Sequence, residues 1–427
     1  MKLIVDIYIF SGDIFMLTAV VLGGTVPHVE LIHQLKKRGY YTVLLDYLPN
    51  PPARAVADEH VQESTMDKDA VCRVARQKRA DLVITTSIDQ ANISACYAME
   101  QLGKCPPYSY ETALRITNKG DMKRTMWEND IPTSRYLYFE KDQDFPKKLS
   151  LHYPIMVKPA DSNSSAGVKT AYNAIEAERY FRQAQQISRN GRVVCEEVVE
   201  GTEVSVYCFV SGGKARVLLI AERLSLVEDG CFKCYGTISG MKLPERITCR
   251  IQEVATAIAK AYALDNTPMF MQIFVQEDDI SVIEFAPRTG GGACYKTVEM
   301  STGFNYIGAC IDSFLGIPVM VPDELTQNYV VGDTILYGYP GVFREICGTQ
   351  ELIARNEHVA DLREVRSNGE IISKGTGNRE RLAHVFLKGD TREELFHAAK
   401  SSVEELDALD SEGNSMLRRD IWLGMER

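Results

Sequence analysis

Two apolar, β-rich runs, MFMQIFV (residues 269–275) and ISVIEFA (280–286), flank the acidic segment Glu277-Asp278-Asp279. This pattern predicts an antiparallel hairpin. A turn centred on Asp278 sets Gln272 opposite Glu284, and the alternation of strand side chains carries Glu284, Ala286 and Arg288 to one face. An amide oxygen, a carboxylate and a guanidinium then aim into one space, followed at once by the side-chain-free run Gly290-Gly291-Gly292. Hard oxygen ligands beside a fixed cation suit a Mg²⁺–phosphate complex and an anionic intermediate. A plain hairpin with one polar face in water would look the same over so short a stretch, so the rest of the chain has to decide.

The chain has 427 residues, enough for two to four lobes with separate cores. Its net charge of −10 and pI near 5.4 argue against nucleic-acid and anionic-membrane partners, which need a basic face. Any nucleotide would be held in a pocket. The eleven cysteines are scattered and odd in number, which favours reduced thiols and a cytoplasmic location. Cys231 and Cys234 form a CxxC without the second pair that structural zinc requires. Residues 1–15 are apolar, but Asp6 and Asp13 interrupt them and no small-residue cleavage site follows, which argues against a signal peptide. They are expected to be an extension or upstream start, or else an added strand. No stretch elsewhere reaches eighteen apolar residues.

Residues 17–22 read as a buried strand, followed by Gly23-Gly24-Thr25, Pro27 at a first helical position, a helix over VELIHQLKKRG and the strand YTVLLD. A helix over 69–79, a strand over 81–85 and a helix through Tyr97 to Leu102 continue the βα alternation. Without GxGxxG this is a parallel-sheet lobe whose loops recruit a substrate, not a dinucleotide fold. Helical sequence from Tyr110 to Asn129 breaks at Asn118-Lys119-Gly120, and a strand is expected over 131–138. Lys119 alone reads as a surface lysine. A second hairpin joins Tyr153–Pro159 to Val168–Tyr172, and its small-residue loop 161–167 can wrap phosphate oxygens. Lys158, inside an apolar strand, needs an anion, or else lies on the wet face of an ordinary polar turn.

After a helix over 173–187, the run 193–203 can offer a carbonyl and an amide to an adenine edge, with Glu203 accepting from ribose hydroxyls; alone, such an acidic patch is a solvated face. A strand over 214–221, a loop holding the CxxC and a helix over 248–261 lead to the first hairpin. Beyond it come a helix from Tyr295 to Leu315, strands near 329–337, 362–366 and 382–388, and a helix from Thr391 to Asp407. Arg379 and Arg381 fall just before the final strand.

Taken in order, Lys119, VKPADSNSSAGV (157–168), EEVVEGTE (196–203) and IEFAPRTGGG (283–292) resemble the ATP-grasp superfamily, over roughly residues 17–320. The nearest likeness is to the carbamoyl-phosphate-synthetase-like and L-amino-acid ligase branch. The resemblance implies a mixed α/β and α+β fold. It would comprise an N-terminal parallel-sheet lobe (16–115), an ATP-grasp domain (116–320) with a mobile lid at about 120–200, an antiparallel catalytic lobe, and an extra C-terminal lobe (321–427). It further implies that Lys119 and Lys158 contact ATP phosphates beneath a loop containing Ser164, Ser165 and Gly167. Glu196, Glu197, Val198 and Val199 would line the adenine, with main-chain atoms of Glu197 and Val199 reading its edge, and Glu203 would hold the ribose. Gln272 and Glu284 would bind Mg²⁺ or Mn²⁺, and Arg288, with Lys158, would serve catalysis.

Ala286 departs from the family's usual asparagine, which removes one ligand from a second metal. The implied reaction is ATP-dependent joining of a small carboxylate and an amine through an acyl-phosphate, with a homodimer left open. The alternatives are a purine- or carbamoyl-phosphate-type ligase, favoured by a basic cluster near Gly290–Gly292 that the sequence does not clearly display, and a nucleotide-binding protein without catalysis.

Overall fold

The computed structural model describes residues 16–162, 167–228, 231–292, 294–322, 325, 327–375 and 379–423; the expectation for residues 1–15 lies outside them. Strands β1 (Thr18–Leu22), β2 (Tyr41–Leu45), β3 (Glu59–Val61) and β4 (Leu82–Ile84) form a parallel sheet in the order β3-β2-β1-β4. Ala19 to Leu22 are fully buried, as expected of a strand covered on both faces. Helices α1 (Val26–Lys37), α2 (Lys68–Gln77) and α3 (Asp89–Gln101) cover it, and α1 buries Leu31, Ile32 and Leu35 on one stripe. The helix expected after strand 81–85 and through Tyr97 to Leu102 is α3, and Asp89 in its first turn reaches the site.

Asn118 ends α4 (Tyr110–Thr117) and caps α5 (Lys119–Glu128), its side chain accepting from the amides of Gly120 and Asp121. The expected break is thus a shared cap that sets Lys119 at the first helical position. Strands β5 (Tyr136–Phe139), β6 (Ile155–Pro159), β7 (Lys169–Ala171) and β8 (Val193–Glu197) form an antiparallel sheet in the order β5-β8-β6-β7. Helix α6 (Ala174–Ile187) buries Ala177, Phe181 and Ala184 against it.

The remainder is built on one large antiparallel sheet. Its first strands are β9 (Thr202–Ser211), β10 (Lys214–Glu228) and β11 (Cys231–Ser239); after α7 (Glu245–Ala261) come β12 (Thr267–Val275) and β13 (Ile280–Ala286). Helices α8 (Cys294–Thr302) and α9 (Tyr306–Phe314) follow, then β14 (Val330–Tyr337), β15 (Gly341–Cys347), α10 (Thr349–Arg355), β16 (Val359–Glu364), β17 (Ile371–Ile372), β18 (Arg381–Gly389), α11 (Arg392–Glu405), β19 (Asp407–Asp410) and α12 (Asp420–Leu423). The eight-stranded order is β13-β12-β9-β10-β11-β14-β18-β16, and β17-β15-β19 form a small separate sheet.

Two expectations are corrected. The CxxC lies in β11, not in a loop, because β10 runs on to Glu228 and pairs with β11 along its length. The single helix 295–315 is two, split at Gly303, whose φ of 70° is left-handed and ends a helix. Beyond residue 320, β14 pairs with β11 through Gly236↔Thr334, Thr237↔Asp333 and Ile238↔Gly332, so the sheet carries C-terminal residues to the same cavity as the hairpin.

Candidate active site

A cavity of about 950 Å³ lies where the parallel lobe, the four-stranded sheet and the eight-stranded sheet meet. The β12–β13 hairpin forms one wall, and Gln272 stands opposite Glu284. A bulge between Gln272 and Ile273 shifts the register by one toward the turn, where Val275 faces Ile280. Glu284 accepts no hydrogen bond from any described residue, and its half-buried carboxylate opens into the cavity. The Gln272 amide nitrogen donates to Glu203 at 2.7 Å, which leaves the amide oxygen as the free end, and Arg223 holds the same Glu203 carboxylate at 2.8 Å. Arg288 lies beyond the end of β13, in a bend whose amide bonds the Ala286 carbonyl, so the cavity and not the strand period brings it beside Glu284.

Opposite the hairpin is a cationic wall. Lys158 on β6 donates to Glu196 Oε1 on β8, and Lys123 on α5 donates to Glu196 Oε2 at 2.8 Å and to Thr133 and Ser134 hydroxyls at 2.6 and 2.8 Å. Lys119 donates to the Ser162 carbonyl at the start of the small-residue loop. Burial alone would raise the Glu196 carboxyl, but Lys123 and Lys158 overcome it and hold Glu196 ionised, well below the usual carboxylate range. Burial pulls Lys119 and Lys123 below the ordinary lysine range, with Glu284 and Glu196 as the nearest opposing charges respectively. Three lysines thus face two carboxylates, Glu196 and Glu284, and the surplus positive charge suits an incoming polyanion.

The sequence reading missed Lys123, which stands buried behind Glu196. Its spacing of four from Lys119 along one helix was the available signal. The role expected for Glu196 changes accordingly: its side chain is the hub between two lysines. Glu197 donates its amide to the Arg135 carbonyl and its carboxylate accepts from the His152 amide, with the His152 ring Nδ1 at 2.9 Å, and Val198 donates its amide to the Pro154 carbonyl. The Val199 amide has no hydrogen bond among the described residues, and Met156, Val168, Val198 and Phe274 supply an apolar lining beside it. Gly167 closes the loop with φ at 75°, packed so that a Cβ there would lie 2.8 Å from Pro159. Ser164 and Ser165 lie outside the described residues.

Arg288 is clamped: its Nε and Nη2 donate to the two Asp89 oxygens at 2.6 and 2.9 Å, and its Nη1 donates to the Thr289 carbonyl at 2.7 Å. The bidentate geometry fixes the guanidinium plane while leaving one N–H on each terminal nitrogen. The C-terminal strands add a further group that the sequence did not reveal, because its members meet only through sheet pairing. His384 Nδ1 lies 2.8 Å from Asp333 Oδ2, and Thr237 donates to the other Asp333 oxygen. Lys233, Arg366 and Arg381 also line the cavity; Lys233 is paired with Glu228 and Glu380, and Arg366 with Glu370. Arg381 donates to the Tyr337 hydroxyl at 3.1 Å and has no carboxylate partner among the described residues.

Gln272 and Glu284 supply two hard oxygens, and among the described residues no group of three His, Cys, Asp or Glu side chains could hold a metal. This donor set fits Mg²⁺ or Mn²⁺, since Mg²⁺ takes one or two carboxylates and completes its shell with water and phosphate oxygens. Ala286, facing Phe270 across the hairpin, contributes no ligand.

Residues 151–297 match the family described as the ATP-grasp domain. An L-arginine-specific L-amino acid ligase of Bacillus subtilis is 21% identical over 351 residues, 79% of this chain and 82% of the relative. A formate-dependent phosphoribosylglycinamide formyltransferase of Parabacteroides distasonis is 26% identical over 282 residues, 64% of this chain and 69% of the relative. Among solved structures, an L-amino acid ligase from Bacillus licheniformis superposes with a TM-score of 0.77 at 20% identity, covering 92% of this chain and 99% of that one.

Proposed function

We propose, from the premise that this chain belongs to the ATP-grasp superfamily, that it joins a carboxylate to an amine at the expense of ATP, forming an amide through an acyl-phosphate. The observation that carries the reading is the meeting, in one cavity, of the surplus-positive lysine wall, the unpaired Glu284 carboxylate and the clamped Arg288 guanidinium. Phosphoryl transfer asks the protein for positioning and charge compensation more than covalent chemistry, and these groups supply both.

Lys119 and Lys158 take the phosphates, and Lys123 keeps Lys158 aimed by sharing Glu196 with it. The loop 161–167, with Ser164, Ser165 and Gly167, closes over them, and the segment of about 120–200 acts as the lid. The adenine edge meets the Val199 amide and the Glu197 carbonyl, and Glu203 accepts from the ribose. Gln272 and Glu284 hold Mg²⁺ or Mn²⁺, which when bound draws charge from the phosphate oxygens. The two remaining N–H groups of Arg288 are available to donate to the oxygen that gains charge in the tetrahedral adduct. Excluding water from this space protects the acyl-phosphate from hydrolysis.

An amino-acid-like substrate is favoured over a phosphorylated sugar. Lys233, Arg288 and Arg366 already have carboxylate partners, which leaves the Arg381 guanidinium to meet a single substrate carboxylate. The test is release of ADP and phosphate with Mg²⁺, ATP and the twenty proteinogenic amino acids supplied as acid and amine. Turnover that needs both partners supports the reading; binding of ATP without turnover across the panel refutes it.

A further inference from the structure

The reading above leaves a buried pair on the cavity wall without a role. His384 on β18 is 3% exposed, and its Nδ1 is held by Asp333 of β14. Asp333 is itself fixed from the other side by Thr237 of β11. Burial would raise the Asp333 carboxyl, but the hydrogen bond and charge of His384 outweigh it and keep Asp333 below the usual carboxylate range. An ionised Asp333 accepts from Nδ1–H, which leaves Nε2 as the ring nitrogen able to take a proton. Nε2 has no hydrogen-bond partner among the described residues.

The free edge of the ring faces the glycine run. A Cβ on Gly292 would lie 3.2 Å from His384 Cε1 and 3.7 Å from Nε2, and Gly292 has φ at 65°, so a side chain is excluded there both by strain and by the imidazole. Gly292 is four residues beyond Arg288. The loop that follows the guanidinium at the reacting carbonyl therefore passes directly over the imidazole. The other charges near the pair are Arg381 on the same strand and Arg363 opposite His384 on β16. Cys294 at the start of α8 is pushed up to about 12 by burial and stays neutral.

We propose that His384, oriented by Asp333, is the base that takes the proton from the amine nucleophile. This rests on the ligase reading. An amine arrives as an ammonium ion and loses one proton to become a nucleophile. Its nitrogen then forms the C–N bond, the carbon–oxygen bond to phosphate breaks with its electron pair leaving on inorganic phosphate, and the nitrogen gives up a second proton to end as the amide. His384 Nε2 accepts the first proton, from the ammonium before attack, and the second goes to the departing phosphate, which leaves as hydrogen phosphate; Asp333 compensates the imidazolium, and the ring returns its proton to solvent after product leaves.

The experiment compares two nucleophiles on wild type, His384→Asn and Asp333→Asn. The twenty proteinogenic amino acids serve as acids, and the acceptor is either an amino acid or hydroxylamine, which is uncharged at neutral pH and needs no base to attack. The expected result is loss of amino-acid coupling by ~10²-fold or more in both variants, with ATP-dependent hydroxamate formation close to wild type. Equal loss with both nucleophiles, or no loss with either, overturns the proposal. Asp333→Asn is isosteric and reports even where His384→Asn folds poorly. Failure of the ligase reading is separate and visible first, as a wild-type enzyme that makes neither product.

Discussion

Replacing Glu196 by glutamine removes one charge and almost no volume, so it isolates the electrostatic role of the lysine hub. Glu196 is 5% exposed and accepts from Lys123 at 2.8 Å, from Lys158, and from the Ser134 hydroxyl at 3.1 Å. With it neutral, two ammonium groups share a desolvated space with no carboxylate between them. Breaking a buried pair by removing one partner costs about 3–5 kcal/mol. At about 2 °C or more per kcal/mol for a lobe of this size, the ligand-free protein should melt at least ~6 °C lower at neutral pH.

The pH dependence has a defined sign. Because the folded-state pKa of Glu196 is depressed from 4.5 to about 2, its contribution is present above pH 4.5 and is lost as the pH falls toward 2. The variant should lack that acid limb. Lys123 carries a lowered pKa, so its charged form is penalised in the folded state, and losing Glu196 deepens the penalty. The variant should therefore regain stability toward alkaline pH more steeply than wild type. A triphosphate can replace the missing carboxylate, so a non-hydrolysable ATP analogue with Mg²⁺ should raise the variant's melting temperature by more than it raises wild type's. Thermal melting with and without the analogue, from acid to alkaline pH, reads all three effects. A variant that melts with wild type at neutral pH and shows the same analogue shift would refute the reasoning.

Glu284→Gln should lower turnover by ~10²–10³-fold with a smaller fall in melting temperature than Glu196→Gln, because the carboxylate opposes the charge of Lys119 but takes no hydrogen bond from the described residues; steady-state ADP release and a melt check this. Arg288→Lys loses the planar clamp to Asp89 and should cut amide formation by ~10²-fold; retention of near-wild-type rates would remove the guanidinium from the reacting carbonyl. Gly236→Ala would place a Cβ 2.7 Å from the Asp333 carbonyl across the β11–β14 pairing, costing about 1–3 kcal/mol by denaturant melt. Arg381→Gln should raise one substrate's KM by ~10-fold, about 1.4 kcal/mol of binding, with kcat little changed.

Much of the nucleotide side was legible because its signals are local. Period-two alternation placed Gln272 opposite Glu284, and the bulge that tightened the turn did not disturb that pair. The run Asn118-Lys119-Gly120 marked a helix break, and the Asn118 cap found there sets Lys119. Lys158 was identified as needing an anion because an apolar strand cannot hold a bare ammonium, although the nearest anion turned out to be Glu196 of the adjacent strand.

The chain's sequence alone determined which segments are strands and helices around the hairpin, that Lys158 in its apolar strand needs an anion, and which family the ordered motifs resemble. The first two follow from side-chain period, turn chemistry and desolvation acting within a few residues, and the third from the order of the motifs along the chain. Only the tertiary structure decided who meets whom. Asp89 clamps Arg288 from 199 positions away, Lys123 turns inward to share Glu196, and His384 joins Asp333 because β18 pairs with β14 within a sheet that continues past residue 320. Such contacts are set by the pairing of distant strands and the packing of separate lobes. No residue's immediate neighbours encode that pairing.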